Sequence, residues 1–309
     1  MDHINQIESQ FMKLQISWLL SFFLSMNVLA ETKLFVLGTG TPNPDPQRMG
    51  SSYLLLVDEQ PYLIDFGIGV IRRFSELTEE WGGELKIDTT SIDHAFLTHM
   101  HSDHNLGLSD LIITPWIMGR ENKLRLFGPD GLDDMAENII KAYEFDINYR
   151  IYGTQPQNKT GYKFEFKKID ENFIFQDNNV KVEAFKNNHG DLEESYGFIF
   201  KTDEIKIVFS GDTAPSEELV KVAKNADILV HEVYSQAGFE KKTKDWQIYH
   251  AAHHTSPMEL GKIASEVMPK KLVLSHILYW GASSDEIKEE VSAHFKGEII
   301  VAQDLMQIY

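Results

Sequence analysis

The chain of 309 residues contains no cysteine. This absence excludes disulfides, thiolate metal ligands, a cysteine nucleophile and the lipid-modified cysteine of a bacterial lipoprotein. Any metal ion that the chain binds must therefore be held by nitrogen and oxygen atoms. The search for a metal site is thereby reduced to histidine and the carboxylates.

Basic residues are also scarce. The chain has 29 lysines and arginines against 47 aspartates and glutamates, which gives a formal net charge of −18 at pH 7. The basic pairs Lys167-Lys168, Lys241-Lys242 and Lys270-Lys271 are short and scattered. Because such an acidic surface repels polyanions, nucleic acid is a poor partner, and we expect a small-molecule substrate.

The N-terminal region has an apolar run, residues 16–24, that is too short to span a membrane comfortably. It follows Lys13 and precedes Val28-Leu29-Ala30. A positive residue, a short apolar run and small or apolar residues at a cleavage point are typical of a secretory signal peptide. We therefore predict a signal peptide over residues 1–30.

Residues 1–11 carry two acidic residues and no lysine or arginine, which is wrong for the start of a signal peptide. This indicates that translation begins at Met12. We predict an exported protein, periplasmic or secreted, that has no stable membrane anchor after cleavage. An uncleaved N-terminal anchor and a buried helix are the alternatives.

The remaining residues, 31–309, alternate strand-like and helix-like segments, which is typical of an α/β fold. Strands are predicted at residues 33–37, 52–57, 62–65, 94–98, 124–127, 180–185, 196–201, 206–210, 227–230, 272–275 and 299–302. Helices are predicted at residues 70–77, 106–118, 132–143, 217–224, 258–268 and 285–295. The polar stretch 148–176 predicts loops and short antiparallel strands. No linker divides the chain, so we expect one domain of two packed sheets.

The segment FLTHMHSDHNLGL, residues 96–108, places three histidines and an aspartate within six positions after a predicted strand. His99 and His101 are two positions apart, so they point the same way on an extended chain. Asp103 and His104 follow at the turn. This pattern can offer two imidazoles to one cation and a carboxylate with an imidazole to a second. It predicts a metal site, and a chance cluster of polar loop residues is the alternative.

Three further candidate ligands each follow a predicted apolar strand: His189, Asp212 and His276. Gly211 lets the backbone turn sharply before Asp212. Taken alone, each could be a polar residue that ends a strand. Together with the first cluster they total seven, the number needed for two metal sites that share one carboxylate.

The motifs GTGTP, YLIDFGIG, THMHSDH, NNHG, FSGDT and LSH occur in this order between residues 33 and 276. In this pattern the chain resembles the metallo-β-lactamase-fold hydrolases. The resemblance implies a four-layer αββα sandwich of two mixed β-sheets flanked by helices. It also implies one metal held by His99, His101 and His189.

The same resemblance implies a second metal held by Asp103, His104 and His276, with Asp212 bridging the two ions. Asp65, in YLIDFG, is expected to orient one of the ligand histidines. The nitrogen and oxygen ligands favour two Zn²⁺ per chain, with Mn²⁺ or Fe as alternatives.

Within this superfamily, Asp212 argues against the true β-lactamases, which lack a bridging carboxylate there. The opening FVLGTGTPNPDPQRMGSSYLLL is similar to the ribonuclease Z branch, which includes arylsulfatase-like and phosphodiesterase-like enzymes. The motifs VHEVY and HHTSPMELGKIA match that branch, and they imply that Glu232 and His254 deliver a proton to the leaving group. His250 and His253 are alternatives for that histidine.

The expected function is that of an exported hydrolase of phosphodiester or sulfate esters, with metal-bound hydroxide as the nucleophile. Asp103 is counted both among the ligands and among the catalytic residues. Alternatives are a lactone or β-lactam hydrolase, a non-hydrolytic metal-binding or sensor protein, and, more remotely, a ribonuclease Z-like tRNA endonuclease. The basic Gly- and Pro-rich arm of ribonuclease Z has no counterpart here. A homodimer is compatible with the sequence.

Overall fold

The computed structural model describes residues 31–309, so the predicted signal peptide and the suggested start at Met12 lie outside the described residues. In this range the chain forms two β-sheets, each with helices packed on its outer face. No helix in residues 31–309 is sufficiently long and apolar to cross a membrane.

The first sheet has six strands that are hydrogen-bonded in the order of the sequence. They are β1 Thr32–Gly38, β2 Ser52–Val57, β3 Gln60–Ile64, β4 His94–Phe96, β5 Leu124–Gly128 and β6 Phe164–Lys168. Strands β1 to β3 are antiparallel, and β3 to β6 are parallel. The β2–β3 hairpin turns at Asp58 and Glu59, whose φ angles of 48° and 65° suit a tight two-residue turn.

The second sheet has seven strands, also in sequence order. They are β7 Ile174–Gln176, β8 Lys181–Lys186, β9 Tyr196–Lys201, β10 Lys206–Phe209, β11 Ile228–Tyr234, β12 Lys271–Leu278 and β13 Glu298–Val301. Strands β7 to β10 are antiparallel, whereas β10 to β13 are parallel. Both sheets are therefore mixed, as the resemblance implies.

The helices follow the alternating pattern. They are α1 Val70–Glu76, α2 Ser102–Asn105, α3 Leu108–Met118, α4 Leu132–Ala142, α5 Glu144–Tyr152, α6 Glu217–Ala223, α7 Gln236–Phe239, α8 Lys244–His253, α9 Pro257–Val267 and α10 Ser284–Ser292. Helix α9 shows why such segments become helical. It begins with a capping box between Ser256 and Glu259, with Pro257 in its first turn. Its apolar face is buried against the second sheet.

Aromatic side chains fill the space between the two sheets. The ring of Phe96, on β4, lies 5.8 Å from Phe198 and 5.2 Å from Phe200, both on β9. Phe96 is fully buried. Truncating it to alanine should cost about 3–5 kcal/mol, because the cavity would lie where the sheets meet. This contact fixes the two sheets relative to each other, and hence the loops at their common edge.

Three predictions of local structure were wrong. Residues 148–176 contain the end of helix α5 and strand β6, which is parallel to β5, rather than only loops and antiparallel strands. Strand β11 continues past residue 230 to Tyr234, and β12 continues past residue 275 to Leu278. Helix α8 was not predicted, because Trp246, Ile248 and Tyr249 are exposed and make no core-facing stripe.

Candidate active site

The HMHSDH segment, residues 99–104, follows β4 and includes the first three residues of the short helix α2. His99 is fully buried, Asp103 and His104 are nearly so, and His101 is partly exposed. Asp65 follows strand β3 of the first sheet and Asp212 follows strand β10 of the second, while Glu232 and His276 lie within strands β11 and β12. Loops from both sheets thus converge on the segment, as is usual for sites in α/β folds.

The first ligand group consists of His99, His101 and His189. The Nε2 atom of His99 lies 3.1 Å from Nδ1 of His101, and Nε2 of His189 lies 3.2 Å from that same atom. His189 donates its Nδ1 proton to the carbonyl oxygen of His253 at 2.8 Å, since a carbonyl can only accept. Its Nε2 lone pair therefore points into the group, which is the orientation that a metal ligand needs.

The second group consists of Asp103, His104 and His276, which lie within ligand distance of one another. Nε2 of His276 is 2.9 Å from Oδ2 of Asp103. Asp212 Oδ1 lies 3.5 Å from both Nε2 of His104 and Nδ1 of His276. His99, His104 and Asp212 also form a group of their own. Asp212 thus lies between the two predicted sites, where a bridging carboxylate is expected.

The arrangement fits divalent cations. Nε2 of His104, Oδ1 of Asp212 and Nδ1 of His276 are buried, and none has a hydrogen-bond partner among the described residues. Unpaired buried polar atoms are costly, and atoms that converge on one another without a proton between them are stabilised by a cation. The nitrogen and oxygen donors are those that zinc and neighbouring transition metals accept.

Asp65 follows β3 and holds His104. Its carboxylate accepts hydrogen bonds from the backbone N–H of Thr98 at 2.8 Å and from Nδ1 of His104 at 2.7 Å. The second bond places the proton of His104 on Nδ1 and leaves Nε2 free for the site. Asp65 has a φ of 56°, an uncommon value for a residue other than glycine. Such backbone strain concentrates at functional sites.

His276 is also held in a left-handed conformation, with a φ of 47°. It lies inside β12, where the pairing with β11 shifts register between His231 and Val233. One extra residue on β12 is accommodated there, which is the geometry of a β-bulge. The bulge turns the His276 side chain toward Asp103 and Asp212.

Glu232 and His254 are close together at the side of the donor cluster. Nδ1 of His254 lies 3.5 Å from Oε1 of Glu232 and 4.0 Å from Oδ2 of Asp212. Oε1 of Glu232 also accepts the backbone N–H of Thr255 at 3.0 Å. The carboxyl group is therefore fixed in place, and the imidazole between it and Asp212 can exchange a proton with the site.

The two alternative histidines are placed differently. His253 bonds through Nδ1 to the carbonyl oxygen of Tyr249 at 2.7 Å. The His250 ring lies 4.5 Å from the ring of Trp280 and 5.7 Å from that of His254. Of the three, His254 is the one whose imidazole lies within 4.0 Å of both Glu232 and Asp212.

Burial keeps several of these imidazoles neutral. It lowers the pKa of His189 and of His254 to about 4. The fully buried His99 has its pKa lowered well below the usual value by the same cause. Neutral imidazole is the form that binds a metal, so these nitrogens are ready as ligands or proton acceptors at neutral pH.

The carboxylates have the opposite effect on His104. Burial alone would lower its pKa, but the charges of Asp212 and Asp65 raise it well above the usual value. Burial would raise the pKa of Asp212, yet His276 and His104 hold it well below its usual range. A buried cation is thus favoured at this point, supplied by a proton or by a metal.

Glu232 differs from the other acids. Burial, with the nearby charge of Asp212, raises its pKa well above the usual value for a glutamate. This direction favours the protonated carboxyl, which is the form that a proton donor acting through His254 would need.

A cleft of about 340 Å³ opens above the donor cluster. His101, Asp103, Asp212, His254 and His276 form its floor. Trp246, Tyr249, His250 and Trp280, hereafter the aromatic wall, line its side together with Lys242. Helix α8 carries three of the four. Sequence reasoning did not identify Trp246 or Tyr249, because nothing in the pattern of this segment indicated a helix beside the site.

Pro42 and Asn43 line the same cleft. They belong to the loop that begins in the GTGTP motif. Asp304, near the end of the chain, accepts the backbone N–H of Thr39 at 3.0 Å and of Met49 at 2.7 Å. One buried carboxylate thus holds both ends of the loop.

Comparison with known proteins identifies a matching family and similar curated proteins. The profile of the family described as "Anti-Pycsar protein Apyc1" matches residues 32–278. Ribonuclease Z of Mycobacterium bovis (strain BCG / Pasteur 1173P2) is 29% identical over 285 residues, covering 89% of this chain and 97% of that protein. Ribonuclease Z of Mycolicibacterium gilvum (strain PYR-GCK) is 27% identical, covering 88% and 94%.

Two solved structures share the fold. The metallo-β-lactamase fold protein YhfI from Bacillus subtilis has a TM-score of 0.70 at 18% identity, covering 90% of this chain and all of its own. The short form of human tRNase Z has a TM-score of 0.63 at 24% identity, covering 90% and 98%. The predicted sandwich of two mixed sheets flanked by helices is thereby confirmed, as is the resemblance to the metallo-β-lactamase-fold hydrolases.

Proposed function

Because the chain belongs to the family of the anti-Pycsar protein Apyc1, we propose that this metallo-β-lactamase-fold hydrolase cleaves phosphodiester bonds in small-molecule substrates. The observation that carries the proposal is the position of Asp212. It lies between two histidine groups and within 4.0 Å of His254, which itself adjoins Glu232. Such a site can bind an ester oxygen and protonate the leaving group at neighbouring points.

The residues that would hold two divalent cations, which we propose to be Zn²⁺, fall into two groups that share Asp212. They are His99, His101 and His189, and Asp103, His104 and His276. Bound metal supplies Lewis acidity and lowers the pKa of water at the site. Mn²⁺ and Fe are the alternatives on the same donors.

The protein's own residues contribute position and protons. Asp65 and the His253 carbonyl fix the rings of His104 and His189, so that their free nitrogens face the cluster. Glu232 holds a proton that His254 can deliver to the departing ester oxygen. Protonating this oxygen removes the charge that develops on it as the bond breaks.

A second candidate is a ribonuclease Z-like endonuclease, because curated relatives matched over most of this chain carry that name. The net charge of −18 opposes binding of a polyanion as large as tRNA. Sulfate esters remain a substrate alternative on the same donors. We favour small phosphodiesters because a cleft of about 340 Å³ suits a small ligand.

The test compares substrates on Zn²⁺-reconstituted protein starting at Glu31. Bis(4-nitrophenyl) phosphate, 4-nitrophenyl sulfate, a lactone, a cephalosporin and a tRNA precursor are assayed side by side with His254→Ala. The proposal expects turnover of the phosphodiester that falls steeply in the variant. Turnover of the lactone or the cephalosporin alone, at the same rate in His254→Ala as in wild type, would overturn the proposal. Cleavage of the tRNA precursor alone would favour the endonuclease.

We also propose that the chain is exported after cleavage before Glu31. The N-terminal sequence of the protein recovered from outside the cytoplasm tests this. An intact N-terminus in cytoplasmic protein would contradict it.

A further inference from the structure

Two members of the aromatic wall beside the donor cluster are exposed. Trp246 has 54% of its surface exposed and Tyr249 has 39%. With His250 they occupy positions i, i+3 and i+4 of helix α8, which places them on one face of the helix. All three line the same cleft as the candidate metal ligands.

Contacts among its own rings and with Lys242 hold the wall in position. The His250 ring is stacked on Trp246 at 5.4 Å and lies 4.5 Å from Trp280. The Nζ atom of Lys242 lies 4.5 Å from the centre of the Trp280 ring, within range of a cation–π contact. The rings therefore need little ordering when a ligand arrives, which favours affinity.

A packing role does not explain the exposed rings. Neither Trp246 nor Tyr249 belongs to the two buried apolar clusters of the described chain. Exposed apolar surface is unfavourable in water, and aromatic surface beside polar groups in a concave site is typical of a ligand contact. A flat ring stacking on Trp246 would cover this surface, whereas a small alkyl group would leave most of it in water.

We propose that the aromatic wall determines substrate specificity by stacking on a planar aromatic group of the phosphodiester, with Trp246 as its main contact. This rests on the proposed function for the identity of the anionic group. The floor of the cleft would hold the phosphodiester, and the wall would select what is attached to it. Trp246 acts on binding rather than on the reacting bond. Its removal should therefore change the affinity for the substrate and leave the rate of the chemical step unchanged.

The test uses binding as well as turnover. Diphenyl phosphate and dicyclohexyl phosphate carry the same charge and groups of similar size, but only the first has planar rings. Their dissociation constants are measured by titration calorimetry on Zn²⁺-reconstituted wild type, Trp246→Ala and Trp246→Phe. Trp81→Ala is the matched control, because Trp81 is 68% exposed and does not line this cleft.

Wild type should prefer diphenyl phosphate, and Trp246→Ala should weaken binding of that ligand by about tenfold while changing dicyclohexyl phosphate much less. Trp246→Phe should keep most of the preference, and Trp81→Ala should keep all of it. For bis(4-nitrophenyl) phosphate, KM should rise in Trp246→Ala with kcat nearly unchanged.

Equal losses for both ligands, no loss for either, or the same loss in Trp81→Ala would overturn the inference. Failure of the proposed function is separate from these outcomes. It would be seen as absence of phosphodiester turnover in wild type, whatever the ligand preference.

Discussion

The floor and the aromatic wall of the cleft differ in how deeply their side chains are buried and in which contacts hold them. On the floor, ligand atoms are mostly buried, and several are held by a second polar partner, as His104 is by Asp65 and His189 by the His253 carbonyl. On the wall, Trp246 and Tyr249 are exposed and are held by stacking. Under the proposed function, the buried groups of the floor would carry out the reaction with a fixed geometry. The exposed groups of the wall would select the substrate, and they could change without disturbing the floor.

Removing Asp212 should have the largest effect, because it breaks the floor at the point shared by both ligand groups. We expect Asp212→Ala to lose phosphodiester turnover to the level of protein-free buffer and to bind less than two metal ions per chain. Both effects are checked directly, the first by measuring turnover and the second by measuring metal content with atomic absorption. Asp110→Ala, on helix α3 away from the cleft, is the control. Full metal content with unchanged turnover would show that Asp212 is not a ligand.

Removing His254 should affect the chemical step and leave the metals in place. We expect His254→Ala to lower kcat by about 10²–10⁴-fold, the range for loss of a general acid or base, with metal content unchanged. The loss should be larger for a poor leaving group such as phenolate than for nitrophenolate, since the poorer one needs the proton more.

The matched control is His253→Ala, since His253 neighbours His254 but its Nδ1 is bonded to the Tyr249 carbonyl. Its kcat should stay near that of wild type. A larger loss of kcat in His253→Ala than in His254→Ala would show that His253, and not His254, delivers the proton.

Weakening the hydrogen bond that orients a ligand histidine, without removing the ligand itself, should have an intermediate effect. In Asp65→Asn the side chain keeps its size but offers His104 a neutral amide in place of a carboxylate. We expect a loss of about 10–100-fold in metal affinity, which is usual for partners that orient ligand histidines. Competition with a chelator measures it, and added Zn²⁺ should restore much of the activity. Unchanged affinity would mean that Asp65 only holds the Thr98 backbone.

Acid should lower the stability of the folded protein, and protonation of the buried His231 should account for part of this loss. Burial lowers the pKa of His231 to about 4 from the ordinary value of 6.5. Between these values the unfolded chain binds a proton that the folded chain does not. The free energy of unfolding should therefore fall as pH decreases through this window, by up to about 3 kcal/mol for this residue.

Denaturant unfolding of metal-free protein at several pH values checks this contribution. In His231→Asn the decrease between pH 6.5 and 4 should be smaller than in wild type, although the variant starts from a lower stability. His294→Asn, at an exposed position, is the control and should retain the wild-type slope. Identical slopes in all three proteins would contradict the prediction.

Prediction from the sequence succeeded where the signal was local. The strands at 52–57 and 196–201 were found to the residue, because apolar runs between turn residues specify them. It failed at α8 and α5, whose exposed aromatic residues do not repeat with a core-facing helical period. It also ended β11 and β12 too early, because His231, Glu232 and His276 are polar residues inside buried strands.

The chemistry available to this protein can be derived from the sequence alone: no thiol, seven nitrogen and oxygen donors in a recognisable order, and the pair Glu232 and His254 between the last two of them. How these groups come together depends on the folded chain. Asp103 and His276 are 173 positions apart in the chain and 2.9 Å apart in space. Their contact depends on two sheets packing at one edge. Burial, which raises the pKa of Glu232, and exposure, which leaves Trp246 free for a ligand, depend on the same packing.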